Sequence, residues 1–132
     1  MIDNSQEYFS IKGIEYKGRF ELNEIHDDQN GFLVIIEDEN KVIYRIEWPE
    51  WVLSYRKCDE SDRLLLIGEL SEKDLLQYVF VECKNSKYIK WISEQKHGIE
   101  LEDSKHIIIS TSNDIIDVIC YELPTISIVN GN

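Results

Sequence analysis

The feature that most constrains this fold is a series of short alternating segments, each ended by a cluster of turn-forming residues. In the first half of the chain, apolar and polar side chains alternate along two segments, with a continuous apolar run, FLVIIE, between them. A period of two residues is typical of strands, and short polar connections join strands that run antiparallel. We therefore predict an antiparallel meander of about four strands. The predicted strands are residues 17–25, 32–37, 41–48 and 51–57, and the turns are 27–31, 38–40 and 59–62.

The middle of the chain changes to helical spacing. Between residues 75 and 83, apolar side chains recur every three or four positions, and Ser71 and Asp74 stand at the spacing of a helix-capping pair. These features predict a strand at 63–70 followed by the first of two central helices. The sequence YVFVEC, residues 78–83, is rich in β-branched and aromatic residues and also fits a strand.

The remainder of the chain predicts a second helix and then a return to strands. Ser86 is a favourable first residue for the helix, and Gly98 is a favourable stop. Residues 112–114 (SND) are turn formers between two apolar segments and predict a C-terminal strand hairpin. The second of these segments also fits a helix that begins at Asp114. The predicted helix is 86–96, and the predicted strands are 106–111, 115–121 and 125–129.

Length and composition predict one α+β domain. The 132 residues match the usual size of a single domain, and no linker rich in Pro, Gly or Ser divides them. Strands, then helices, then strands is the element order of α+β proteins. The predicted domain covers residues 1–132 and contains an antiparallel meander of about four strands, two central helices and a C-terminal strand hairpin.

The charge balance limits the kinds of partner. There are 26 acidic residues against 14 Lys and Arg, which gives a formal net charge of −12. Nucleic acids and anionic membranes repel such a chain, so neither is a predicted partner. A basic protein would associate fastest, because opposite charges steer the encounter. Residues 21–62 hold 12 of the acidic residues and only 4 basic ones, so the charge is concentrated in the predicted meander.

The cysteines indicate no cofactor, metal site or disulfide framework. Cys58, Cys83 and Cys120 are odd in number and widely spaced, without a CxxC pair or a Cys–His cluster. Three reduced thiols are typical of a cytoplasmic protein. The first ten residues lack the basic and apolar regions of a signal peptide. We therefore predict a cytoplasmic location.

The sequence EWPEW, residues 47–51, suggests a partner-binding site. Trp48 shares an alternating face with Val42 and Tyr44 and is predicted to lie in the core, whereas Trp51 follows Pro49 and is predicted to be exposed. Exposed Trp beside carboxylates suits a partner that carries Arg or Lys. The acidic residues are equally compatible with plain solvated turns. The predicted partner-binding residues are Asp27, Asp28, Glu47, Glu50, Trp51, Asp59, Glu60 and Asp62.

Alternate turns of a meander lie at opposite ends of the sheet. The 27–31 turn and the EWPEW segment are therefore predicted at one end, and the 38–40 and 59–62 turns at the other. A single patch that used all of these acidic residues would have to run along the face of the sheet.

Catalytic signatures are weak. His26 precedes Asp27 and Asp28, and an Asp–His pair is able to perform acid–base chemistry, so a small hydrolase is the third functional hypothesis. The same triplet is also a common polar turn. No Ser, Cys or Thr stands in a recognisable nucleophile motif, and the six glycines form no phosphate-binding loop. We predict that the protein is not an enzyme.

The C-terminal stretch STSNDIIDVICYELPTISI, residues 110–128, resembles the closing segment of several small bacterial immunity domains. The short, acidic, cysteine-poor build also resembles immunity proteins encoded beside bacterial polymorphic toxins, including those of contact-dependent growth inhibition systems. This resemblance implies a protein that binds a cognate and often basic toxin domain, such as a nuclease, and covers its active site. The alternative hypothesis is a non-enzymatic adaptor or small-ligand-binding module.

Overall fold

The structure is a computed structural model that describes residues 6–99 and 101–129. These residues form nine strands and two helices, in agreement with the predicted α+β class. The strands are β1 Glu7–Ser10, β2 Phe20–Asp28, β3 Gly31–Asp38, β4 Ile43–Trp48, β5 Ser54–Asp59, β6 Phe80–Lys84, β7 Lys105–Ser110, β8 Asp114–Cys120 and β9 Thr125–Val129. The helices are α1 Leu64–Glu72 and α2 Lys87–Gln95, and a 3₁₀ turn covers Glu60–Asp62.

The strands form two antiparallel sheets that pack face to face. The four-stranded sheet has the order β2-β3-β4-β9, and the five-stranded sheet has the order β1-β6-β7-β8-β5. Both helices lie on the outer face of the five-stranded sheet, so the molecule has three layers. The outer face of the four-stranded sheet carries polar and partly exposed side chains and meets solvent.

The predicted meander is present, but the chain leaves it after three strands. Pro49 follows β4 and cannot donate a ladder hydrogen bond, so the strand ends there. The predicted fourth strand, residues 51–57, forms as β5 and crosses to the other sheet, where it pairs with β8. The fourth position of the meander is filled by β9, the predicted final strand, which pairs with β4.

The main core lies between the two sheets. Phe32, Val34 and Ile46 of the four-stranded sheet pack against the opposite sheet. A β-bulge between Leu22 and Glu24 inserts one extra residue into β2. Because a one-residue shift changes which face a side chain takes, β2 turns Ile25 toward the core. The partners from the five-stranded sheet are Phe80, Ile107, Ile109, Ile116, Val118 and Cys120.

A second core lies between the five-stranded sheet and α1. Leu66 and Leu70 stand four residues apart, on one face of the helix, and both are buried against the sheet. The strand residues beneath them include Val81, Ile108 and Ile115. The middle strands of the five-stranded sheet are therefore buried on both faces, which explains the nearly continuous apolar sequences of β7 and β8.

The predicted strand at 63–70 and the helix predicted after it are both wrong. The first segment forms α1, and the end of the predicted helix forms β6. A short apolar run such as LLLIG is ambiguous between strand and helix. Ser71 and Asp74 do not begin a helix; Asp74, at φ 58°, ends one. The Leu75 amide donates to the Leu70 carbonyl at 2.8 Å, as in a Schellman motif, and the two leucine side chains share one cluster.

The second helix and the C-terminal hairpin confirm the predictions. The Ser86 hydroxyl accepts a 3.1 Å hydrogen bond from the Ile89 amide and so caps α2. The helix buries Tyr88 most deeply. The segment that also fitted a helix is β8, a central strand of its sheet. Neither α1 nor α2 has the length and apolar character needed to cross a membrane.

Gly68 lies in the interior of α1 and offers a simple test of the helix assignment. A Cβ atom placed there would have no neighbour within 4 Å. Gly68→Ala is therefore expected to raise the free energy of unfolding by about 0.5–1 kcal/mol, because alanine loses less backbone entropy in a helix. Urea unfolding measures this change as a higher midpoint with an unchanged slope. Gly98→Ala, at φ 83°, is the control and should lower stability; a loss at Gly68 as well would contradict a helix at 64–72.

Candidate functional site

The two tryptophans of EWPEW have opposite environments, as the sequence predicts. Trp48 is only 4% exposed, packs 5.6 Å from the Phe32 ring centroid, and donates from Nε1 to the Glu122 carbonyl at 3.0 Å. Trp51 is 77% exposed. An indole that stays in water forgoes the burial energy of a large apolar surface, which makes it a candidate anchor for a partner.

The turn between β2 and β3 supports the backbone beneath these tryptophans. Gly31 pairs with Asp28 and has a φ of 117°. A Cβ atom at Gly31 would lie 2.3 Å from the Trp48 carbonyl oxygen and 3.0 Å from that of Pro49. Only glycine allows so close an approach of the two backbone segments. The Asn-Gly pair that predicts the turn therefore also fixes the position of the EWPEW segment.

Four predicted carboxylates lie at the same end of the four-stranded sheet as Trp51. Strand pairing aligns Asp27 and Asp28 with the start of β3, and the start of β3 with the end of β4. Glu47 forms an ion pair with Arg45 at 2.7 Å, and the two line a cleft of about 270 Å³ together with Asp28. We call this surface the Trp51 corner. It consists of Asp27, Asp28, Glu47, Glu50 and Trp51.

The other three predicted residues, Asp59, Glu60 and Asp62, lie at the opposite end of β5. The six residues of β5 span roughly 17 Å between these two ends. Asp59 also has a local structural role, since its Oδ1 accepts from the Ser61 amide at 2.9 Å and from the Ser61 hydroxyl at 2.7 Å. Both hydrogen bonds lower the pKa of Asp59, and the one from the hydroxyl has the larger effect. The eight predicted residues therefore form two surfaces, as expected for turns at opposite ends of strands.

His26 does not pair with either neighbouring aspartate. Its Nε2 lies 2.9 Å from Glu24 Oε1, and both side chains are about half exposed. Residues 24 and 26 point to one face of β2, whereas Asp27 points to the other. The Asp–His pair of the hydrolase hypothesis is thus absent from the described structure. The pair that does form is an exposed ion pair, and such pairs contribute little to stability.

Beneath the helices lies a buried polar network that sequence analysis missed. Asp117, in the middle of β8, is fully buried. Its Oδ1 lies 2.6 Å from His106 Nε2, and its Oδ2 accepts from Arg56 Nε at 3.0 Å and from Arg63 Nη1 at 2.5 Å. Ser86 Oγ lies 2.7 Å from His106 Nδ1. We call these residues the Asp117 network: Arg56, Arg63, Ser86, His106 and Asp117.

The Asp117 network joins both helices to the sheet. Arg63 immediately precedes α1 and contacts Asp117 directly, whereas Ser86 immediately precedes α2 and reaches Asp117 through His106. Burial alone would raise the pKa of Asp117. The hydrogen bonds from His106 and Arg63 outweigh burial and hold that pKa well below its ordinary range. Asp117 is therefore a buried anion that is compensated by cations, as a buried charge requires.

Ser86, His106 and Asp117 include the three residue types of a nucleophilic triad, but their environment does not suit catalysis. Ser86 and His106 are buried along with Asp117. The Ser86 hydroxyl also caps α2. A nucleophile must reach a substrate carbonyl beside oxyanion donors, and this hydroxyl is enclosed between a helix and a sheet. The contacts of these three residues are those of a structural network.

The sequence does contain a signal for this network. Asp117 is the only charged residue in the run IIDVIC, and a charge inside a buried strand needs a partner. The partners come from β5, β7 and the two helix starts, so only the tertiary structure identifies them.

The described residues, 6–99 and 101–129, contain no group of three or more His, Cys, Asp or Glu side chains arranged to hold a metal ion. Cys58, Cys83 and Cys120 are free thiols, and burial raises the pKa of Cys83 to about 12 and that of Cys120 to about 11. Comparisons with protein-family models, with curated proteins and with solved structures found no match.

Proposed function

We propose that this protein is an inhibitor of the immunity type, which binds a basic toxin domain through the Trp51 corner and covers the active site of that domain. The observation that carries the proposal is the 77% exposure of Trp51 at the end of the four-stranded sheet that also carries four carboxylates. Trp is among the residues that contribute most to protein interfaces, where surrounding polar side chains exclude water from it. Carboxylates at the same end of the sheet favour a partner surface that is rich in Arg or Lys.

The overall charge supports the same kind of partner. A nuclease presents positive charge to its nucleic acid, and a chain with net charge −12 is attracted to that surface before contact. Steered association reaches about 10⁸–10⁹ M⁻¹s⁻¹ at low salt. A protein that protects a cell from an incoming toxin benefits from such a rate, because the toxin acts until it is bound.

The support beneath the Trp51 corner favours tight binding. The close approach of Gly31 to the Trp48 and Pro49 carbonyls and the hydrogen bond from Trp48 to Glu122 fix the backbone on the N-terminal side of Trp51. A surface that is already ordered loses less entropy when its partner binds.

Trp51→Ala is expected to weaken binding to the proposed toxin domain by about 2 kcal/mol or more, because it removes the anchor. The melting temperature should stay the same, since this indole lies in solvent in the free protein. Calorimetric titration and thermal unfolding measure the two quantities. Leu65→Ala is a matched control, because Leu65 is equally exposed but lies on α1. A steep fall in melting temperature with unchanged affinity would assign Trp51 to the fold.

A charge-matched pair of variants tests the electrostatic part of this prediction. Glu50→Gln and Asp62→Asn each remove one negative charge, at the Trp51 corner and at the opposite end of β5 respectively. Stopped-flow measurements should show slower association for Glu50→Gln and a rate that falls with added salt. Equal effects of the two variants would mean that net charge, and not the Trp51 corner, guides the encounter.

A further inference from the structure

A groove beside α2 differs in charge from the rest of this acidic molecule. It has a volume of about 650 Å³, within the range of small-molecule sites. Among the described residues, its lining contains two cations, Arg56 and Lys87, and no carboxylate. We call it the Arg56 groove. The other lining residues are Gln6, Ser54, Tyr55, Tyr88 and Trp91.

Arg56 is held in place before any ligand arrives. Its Nε donates to the buried Asp117 at 3.0 Å, and its guanidinium carbon lies 4.2 Å from the centroid of the Tyr88 ring. The Tyr88 hydroxyl is in turn hydrogen-bonded to Ser54. Within the described residues, the hydrogen bonds of Arg56 use Nε alone, and its side chain is partly exposed. Its two Nη groups are therefore available in the fork geometry that matches a carboxylate or a phosphate.

The local charge favours an anion. Asp117 compensates two guanidinium groups, Arg56 and Arg63, so positive charge is left over where Arg56 meets the groove. The exposed Lys87 adds a second cation at the first residue of α2. The amino end of a helix also carries partial positive charge.

The groove also has an aromatic wall. Trp91 is 55% exposed, and its ring centroid lies 6.4 Å from that of the buried Tyr88. Stacking of a planar ring on an exposed indole is favourable whatever polar groups the ring carries.

We propose that the Arg56 groove binds a small anion that carries a planar ring, with its phosphate or carboxylate group on Arg56 and Lys87 and its ring on Trp91. Nucleotides and aryl acids share this chemistry. The inference rests on the contacts within the groove and is independent of the toxin-inhibitor proposal.

Isothermal titration calorimetry of the full chain with AMP, phenyl phosphate and benzoate tests this inference. At least one of them should bind with a Kd below about 1 mM. Adenosine lacks the anion and inorganic phosphate lacks the ring, so each should bind at least about tenfold more weakly than the best probe. Preference for AMP would identify a nucleotide, and preference for the other two an aryl acid. If no ring-bearing anion binds more tightly than inorganic phosphate, the inference is wrong.

Variants locate the binding. Lys87→Gln and Trp91→Ala should each weaken the best probe about tenfold, and both side chains are exposed, so the fold is unaffected. Arg56→Gln should abolish binding, although it also removes a hydrogen bond to Asp117. Arg45→Gln is the matched control, since it removes one positive charge outside the groove. An equal loss in Arg45→Gln would show general attraction of anions and would overturn the site.

Discussion

Asp117→Asn is expected to lower the free energy of unfolding by about 3 kcal/mol, the largest effect of any single polar substitution in this protein. Removing one partner from a buried ion pair leaves an uncompensated charge, which costs about 3–5 kcal/mol. The lower end of that range applies, because the side chains of Arg63 and Arg56 are 18% and 46% exposed and regain some hydration. Urea unfolding measures the loss.

Asp114→Asn is the matched control for Asp117→Asn. Asp114 begins the same strand and pairs with Lys57 at 3.1 Å, but that ion pair is partly exposed. Loss of this ion pair should lower the free energy of unfolding by less than about 1 kcal/mol. Similar losses in the two variants would contradict the role of the Asp117 network in joining the helices to the sheet.

The pH dependence of this difference provides a second check. The folded pKa of Asp117 is depressed, so its carboxylate stabilises the protein above the unfolded pKa of about 4. That contribution is lost as the pH falls from about 4 toward the lower folded pKa. The difference in stability between wild type and Asp117→Asn should therefore be full at pH 7 and should shrink below about pH 4. A difference that stays constant from pH 7 to pH 3 would show that the charge of Asp117 is not its source.

Gly31→Ala is expected to lower the free energy of unfolding by about 3–5 kcal/mol. This loss has two causes, and a variant at a second glycine distinguishes them. A φ of 117° is strained for any other residue and costs about 1–3 kcal/mol. The new methyl group would also lie 2.3 Å from the Trp48 carbonyl oxygen, and relief of that overlap costs a similar amount. Gly18 has a nearly equal φ of 110° but no neighbour within 4 Å of a Cβ atom. Gly18→Ala should therefore show the strain alone.

Thermal and urea unfolding of the two alanine variants measure this difference. The Trp51 corner should also change in Gly31→Ala, because the carbonyls that must move belong to EWPEW. If the proposed function holds, weaker binding to the toxin domain is then expected for Gly31→Ala and not for Gly18→Ala. Equal destabilisation by the two variants would mean that the β2–β3 turn does not support the Trp51 corner.

Most of the fold could be predicted from local patterns, and the failures have physical causes. The strands at 20–28, 31–38 and 43–48 show clear alternation or turn chemistry. By contrast, α1 was predicted as a strand, and β6 was predicted as the end of a helix. LLLIG has no periodicity that separates helix from strand, and the spacing at 75–83 resembled a helix although tertiary pairing makes β6 a central strand. The crossing of β5 to the second sheet depends on long-range pairing, which local patterns do not contain.

The candidate sites divide in the same way. Exposure of Trp51 and burial of Trp48 could be predicted, because Pro49 ends the alternation between them. The Asp117 network and the Arg56 groove could not, since their residues come from β5, β7, β8 and the two helix starts. Arg56 illustrates the difficulty. In the sequence it is one base in an acidic segment, and only the fold sets it between Asp117 and the Tyr88 ring.

The order in which the chain visits its two sheets affects how it matures on the ribosome. After β4, the nascent chain builds β5–β8 in the other sheet before β9 returns to the edge of β4. The open backbone edge of β4 thus stays without its partner while about 80 further residues are translated, which takes roughly 4–16 s at ordinary elongation rates. An unpaired edge invites pairing with other chains. Newly made protein is therefore most vulnerable to aggregation in that interval, which ends when β9 pairs with β4.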